Sequence, residues 1–368
     1  MNKSYNFSAT AVPLPEAVSK RVREQAFNYK NLDIAVMELV PGSKEYTKIL
    51  KDAELALRKI LDVPTGYTVL FLEFPKAAQY SAIPLNLMSD RRSADYIITG
   101  QSSKEAEREA KKYGDIAIAA TSAGAGPIFS TVPKVDRSIF RPDADYAYMC
   151  HNDSIYGTKF PSLPDAGSIP LVVDMTSSVL SEPVDFSKIA LLLAGGECNI
   201  GVPGLTTVII RGDLLGGCRP DTPAMLNYKK LADVRTHEFE PSAFSIYIAG
   251  QVFEWIDSLG GLDEMKRRSE KRASLIYDFL DGQSQEYYTS FTDRKCRSAT
   301  TVVFTTGDAA LDRKFIAEAA DAGLVNLAGH PSVGGMRASL YNSMPQEGVV
   351  ALVEFMKKFK SANPRFNK

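Results

Sequence analysis

Histidine, cysteine and tryptophan are scarce in this chain, and neither sign of charge is in excess. The three histidines, His151, His237 and His330, lie too far apart to suggest a metal site. The four cysteines, Cys150, Cys198, Cys218 and Cys296, contain no C-x-x-C pair, so reduced thiols are the natural reading. Lys and Arg number 43 against 44 for Asp and Glu, which leaves a net charge of -1. Bulk electrostatics therefore gives no case for nucleic acid or an anionic membrane. No run of about 18 apolar residues occurs, and the opening residues, Met1 to Asn6, lack an apolar signal core. Internal repeats, low-complexity tracts and heptad arrays are missing too. These absences leave the expectation of a soluble, cytoplasmic protein with no nucleic-acid or membrane partner and no metal.

What the chain does have is bulk and alternation. With 368 residues, 45% of them hydrophobic, it can bury a sizeable core and divide into two domains. Short apolar runs recur at 67–72, 96–99, 116–119, 146–149, 171–174, 189–193 and 206–210. Nearly continuous apolar character is what strands buried on both faces require. Between them lie segments such as 104–113, dense in Glu, Lys and Ala, which favour helix. The sum is an α/β domain with a mostly parallel seven-stranded sheet. Beyond about Gln251 the texture changes to long helices at 245–259 and 262–281, a strand at 300–304, a helix at 311–322, a strand at 335–340 and a last helix at 345–359. That reads as a smaller α+β domain. The expected division is a large domain over 16–255, with 1–15 and 256–368 forming the small one. The polar tail 361–368 is expected to fray.

One stretch carries more information than the rest. Leu193-Ala194-Gly195-Gly196-Glu197-Cys198-Asn199-Ile200-Gly201 resembles the phosphoserine aminotransferase segment Ala-Gly-Ala-Gln-Lys-Asn-Ile-Gly, with Cys198 in place of the lysine. Further blocks follow in family order: Asn6-Phe7-Ser8-Ala9, Val36-Met37-Glu38, Ala82 to Leu87, Val173-Asp174-Met175, Phe244-Ser245-Ile246-Tyr247 and Ser332 to Ser339. The resemblance implies a fold type I aminotransferase, a two-domain homodimer with pyridoxal phosphate sites at the subunit interface. The family lysine forms an imine with that cofactor, and a thiol cannot.

Other ligand-facing positions depart from the family as well. The glycine-rich phosphate turn after 70–72 is replaced by Glu73-Phe74-Pro75-Lys76-Ala77. Phe74 adds bulk where backbone should lie bare, and Pro75 removes a donor. Lys76 reads either as a replacement cation or, more simply, as a solvated surface lysine. The family's ring-stacking tryptophan falls on Ser102, its phosphate-binding Asn-Thr pair on Phe239-Glu240 beside Glu238, and Glu197 replaces a glutamine. Two substrate-binding His-Arg pairs become Pro41-Gly42 and His330-Pro331. By resemblance Arg337 marks the substrate α-carboxylate site, with His330 beside it. Asp174 keeps the carboxylate that pairs with the pyridinium nitrogen, and Ser154 replaces a cofactor-binding threonine.

Each position also has a plain structural reading. Cys198 is a nucleophile or an inert buried thiol, and adjacent Glu197 opposes the thiolate that a nucleophile needs. Asp174 could simply cap local backbone donors, and Arg337 could serve an ion pair. The expectation is a homologue that has lost lysine-dependent transamination and acts in binding or regulation. It would have no cofactor, or pyridoxal phosphate held only non-covalently, and an unidentified small-molecule ligand. Two alternatives stand beside it. One is a repurposed enzyme using Cys198, Glu197, Asp174 and Arg337. The other is a phosphoserine:2-oxoglutarate transaminase of serine biosynthesis, as the family name implies.

Overall fold

The computed structural model describes residues 4–88, 91–124, 128–233, 241–283 and 287–364. A short strand β1 (Tyr5–Asn6) leads into α1 (Glu16–Gln25) and α2 (Lys44–Leu61). Ser43 caps α2 by accepting from the Tyr46 N–H, and Asp62 ends it in the left-handed conformation. Then β2 (Tyr67–Leu72), α3 (Gln79–Leu87), β3 (Ser93–Ile98), α4 (Gln101–Ala110), β4 (Asp115–Thr121) and β5 (Tyr146–Cys150) follow. A two-residue hairpin, β6 (Asn152–Asp153) with β7 (Thr158–Lys159), precedes β8 (Leu171–Asp174), β9 (Leu191–Gly195) and β10 (Thr206–Arg211).

Seven of these strands form one sheet in the order β2-β10-β9-β8-β5-β3-β4. Only β10 runs against its neighbours, β2 and β9; the remaining pairings are parallel. The sheet is therefore mostly parallel, as the apolar runs predicted. Two core clusters line its faces. One holds Val69, Met149, Val173 and Ile209 with α2 and α6 (Ala243–Ser258), the other Leu70, Tyr96, Tyr148 and Val208 with α3 and α4. The exception is β4, whose residues are partly or fully exposed, Ile118 among them. It is the edge strand, so its apolar run is not buried on both faces.

The short helix α5 (Tyr228–Leu231) precedes α6; after it come α7 (Gly261–Gly282), β11 (Thr301–Phe304), α8 (Ala309–Asp321), β12 (Leu324–Val325), β13 (Met336–Ser339) and α9 (Gln346–Ala362). These elements share a third cluster built on Phe304, Phe315, Leu352 and Met356, which Phe7 joins from the N-terminal segment. β11 pairs antiparallel with β13, and β12 pairs parallel with β1. The last helix runs to Ala362, so 361 and 362 are helical where fraying is expected; residues 365–368 lie outside the described part. Among the described residues no helix is long and apolar enough to cross a membrane.

Candidate functional site

Strands β2, β3, β5, β8 and β9 point the same way, so their carboxyl ends open on one edge of the sheet. In open α/β sheets that edge is where ligands bind. Asp174 stands there as the last residue of β8, with no exposed surface. Its Oδ1 accepts from the Thr176 N–H at 3.0 Å and the Thr176 hydroxyl at 2.6 Å. Its Oδ2 accepts from Lys76 Nζ at 3.0 Å and from the Tyr148 hydroxyl at 3.4 Å.

Lys76 is thus no solvated surface lysine, which corrects the simpler reading of the sequence. Pro75 turns the chain at the end of β2 into a single 3-10 turn, and this aims the lysine into the cleft. Its side chain is 21% exposed, lies 3.5 Å from Ser102 Oγ and sits over the Tyr80 ring. Burial, the largest single influence, disfavours the ammonium, but Asp174, Tyr80, Cys150 and Glu197 together outweigh it and hold the lysine pKa well above its ordinary value.

Cys198 lies in the loop after β9, 5% exposed, with its Sγ 3.7 Å from the Ala9 carbonyl. Burial, then the neighbouring Glu197 charge, pushes the thiol up to about 12. At neutral pH it is a protonated, weakly nucleophilic group. Arg337, on β13, is half-buried and donates from Nη1 to the Ser154 carbonyl at 3.4 Å. Burial lowers its pKa, against the opposing pull of Tyr341, Asp153 and Cys198. His330 stands next to it: burial and then the Arg337 charge lower its pKa, and its Nδ1 lies 2.7 Å from Ser332 Oγ. The fold therefore gathers Asp174, Cys198, Ser154, Arg337 and His330 at one edge. Glu238, Phe239 and Glu240 lie outside the described residues.

Three residues of the cleft escaped the sequence reading. Thr176 fixes Asp174, and Tyr148 lies within the apolar run 146–149, although a buried phenol needs a partner. Asp153 is the third. Its Oδ1 accepts from the N–H groups of Ile155 and Tyr156 at 2.8 and 3.2 Å, while its buried Oδ2 has no partner. Burial raises its pKa to about 6 against those two bonds. Among the described residues no cluster of His, Cys, Asp and Glu could hold a metal ion.

The family model for aminotransferase class-V matches residues 4–352. The phosphoserine aminotransferase of Laribacter hongkongensis is 42% identical over 355 residues, 96% of this chain and 98% of that one. A solved phosphoserine aminotransferase, in a study of radiation damage to its Schiff base, superposes with a TM-score of 0.94 at 33% identity, covering 99% of this chain and 100% of that one. The pyridoxal-phosphate-bound phosphoserine aminotransferase of Trichomonas vaginalis gives 0.90 at 31% identity, covering 96% and 100%. These findings overturn the expectation that no cofactor is involved: they point to pyridoxal phosphate. With its α/β architecture, seven-stranded sheet and near-complete coverage by those relatives, the chain belongs to the class-V aminotransferases, within the phosphoserine aminotransferase family.

Proposed function

We propose that this protein binds pyridoxal phosphate in the cleft without covalent attachment at residue 198, and has a binding or regulatory role in place of lysine-dependent transamination. One observation carries the reading. Cys198, which by resemblance takes the place of the family lysine, is a buried thiol, while the amine that reaches the cleft floor, Lys76, is held as an ammonium against Asp174. An ammonium has no lone pair to offer a carbonyl.

The residues fit a pyridoxal ring in part. Asp174 offers a buried carboxylate to a protonated ring nitrogen, provided that Lys76 gives way. When bound, pyridoxal phosphate would supply an electron sink for bonds at an amino-acid α-carbon. Arg337 would orient a substrate carboxylate through its planar fork, with His330 and Ser154 beside it. No amine at 198 remains to move the α-proton, and a thiol raised to about 12 is a weak base carrier at neutral pH.

The reading is tested by mixing the purified protein with pyridoxal phosphate, reducing with borohydride, and assaying phosphoserine with 2-oxoglutarate. A saturable spectral change, no fixed adduct and background turnover are expected. Efficient turnover would overturn it in favour of the second reading, a phosphoserine transaminase. That second reading is supported by the names of relatives about 40% identical and by the amine at Asp174. Turnover lost in Lys76→Ala would assign it to that amine. We also propose that the chain works as a homodimer and divides at 15/16 and 255/256. The segment 27–40 supports the former, since it exposes Phe27, Leu32, Ile34, Met37 and Val40 together.

A further inference from the structure

A cavity of about 610 Å³ lies between the N-terminal segment, the start of α7 and the loop after β13, outside the cleft at Asp174. Its volume is in the range of small-molecule sites. Arg267, Arg268, Lys271 and Arg272 line one wall, within two turns of the same helix. Arg267 and Arg268 are both paired with Glu264. Arg272 differs from them. It is only 4% exposed, its Nη2 donates to Ser269 Oγ at 3.0 Å, and its Nε has no partner. Among the described residues no carboxylate pairs with it, and the charge acting on it is that of Arg268, which is also positive. Burial first, then Arg268, bring its pKa down to about 10, so it stays a cation at neutral pH.

A buried guanidinium without a counter-charge is strongly unfavourable in a protein interior. Arginine's rigid fork suits one kind of compensation, an oxyanion accepting two parallel hydrogen bonds. We propose that Arg272 is the anchor of a second ligand site, which takes the oxyanion group of a small anionic molecule into this cavity. Arg268 and Lys271 flank that anchor and add field of the same sign. Glu16 and Glu347 also line the cavity, and they restrict the anionic group to the α7 wall. Neither Asp174 nor Arg337 belongs to this lining; the cavity adjoins the coenzyme cleft through Tyr341, which also faces Cys198 and Arg337, but draws its cations from α7.

The test uses the full chain with inorganic phosphate as the probe and sodium chloride at equal ionic strength as the control. Thermal unfolding and ³¹P line broadening are followed as phosphate is titrated. A saturable rise in Tm with phosphate, absent with chloride, is expected. It should vanish in Arg272→Met and persist in Arg337→Gln. Arg272→Met should itself melt no lower than the parent without phosphate, because it removes an unpaired charge. Should that variant fail to fold, Arg272→Lys keeps the charge but loses the fork, and phosphate should bind about tenfold more weakly. No saturable response in the parent, a response kept in Arg272→Met or at full strength in Arg272→Lys, or one abolished by Arg337→Gln would each overturn the site.

Discussion

Two buried titratable side chains, His151 and Asp153, follow directly on the end of β5. His151 is buried, with Nδ1 2.9 Å from Ser178 Oγ, and burial lowers its pKa from 6.5 to about 4. The fold thus prefers the neutral imidazole. Its contribution is present above pH 6.5 and is lost as pH falls through 4. Asp153 has the opposite sense, raised from 3.8 to about 6, so its contribution is present below 3.8 and is lost as pH rises through 6. Each is worth about 3 kcal/mol, and between pH 4 and 6.5 they oppose one another. Asp153→Asn should therefore stabilise the protein at pH 7 and leave stability falling as pH drops toward 4. Urea melts across that range would show it, and a flat profile in the variant would contradict it. Lys76→Ala leaves the Asp174 carboxylate buried and unpaired, a loss of about 3–5 kcal/mol. Pyridoxal phosphate should then raise Tm more in the variant than in the parent. On the proposed reading Cys198→Lys supplies an amine but leaves the other ligand-facing positions as they are, so turnover of phosphoserine should stay at background in a coupled assay.

At the scale of elements, the loop joining β9 to β10 is held by backbone. Gly196 donates to Leu205 O at 2.6 Å, and Gly201 donates to Gly196 O at 3.1 Å. A Cβ at Gly196 would stand 2.3 Å from Val202 O and 2.7 Å from Leu205 O, neither of which is a flexible side-chain tip. Gly196→Ala should cost about 1–3 kcal/mol, read as a lower urea midpoint with an unchanged m-value. The strand elements were legible because apolar runs at 67–72, 146–149 and 206–210 carry their own burial signal. Helix α4 was less so: it begins at Gln101, not at 104, because Ser103 Oγ accepts from the N–H groups of Thr99 and Gly100 and starts the turn early. Lys76 was misread for a related reason. Local composition says nothing of Asp174, which comes within 3.0 Å only once β2 and β8 lie in one sheet. Arg337 and Asp174 were picked out by motif; the Asp-x-Thr spacing at 174–176 is a local turn signal for the Thr176 bonds, whereas no spacing in the chain could report the Ser154 carbonyl that Arg337 meets.

For the molecule as a whole, the apolar side chains of 27–40 invite a second copy. Light scattering should give twice the chain mass, and Phe27→Asp with Val40→Asp should lower it toward one chain while the fold is retained. A doubly substituted protein of unchanged mass would exclude this face. The ion pair at the end of β8 bears on how such a protein lives in a cell. Its own lysine neutralises the charge at the cleft floor, so a newly made chain should reach its native state before any vitamin arrives. Cells starved of vitamin B6 should accumulate this polypeptide to ordinary levels, without the degradation expected of a chain that needs its coenzyme to finish folding.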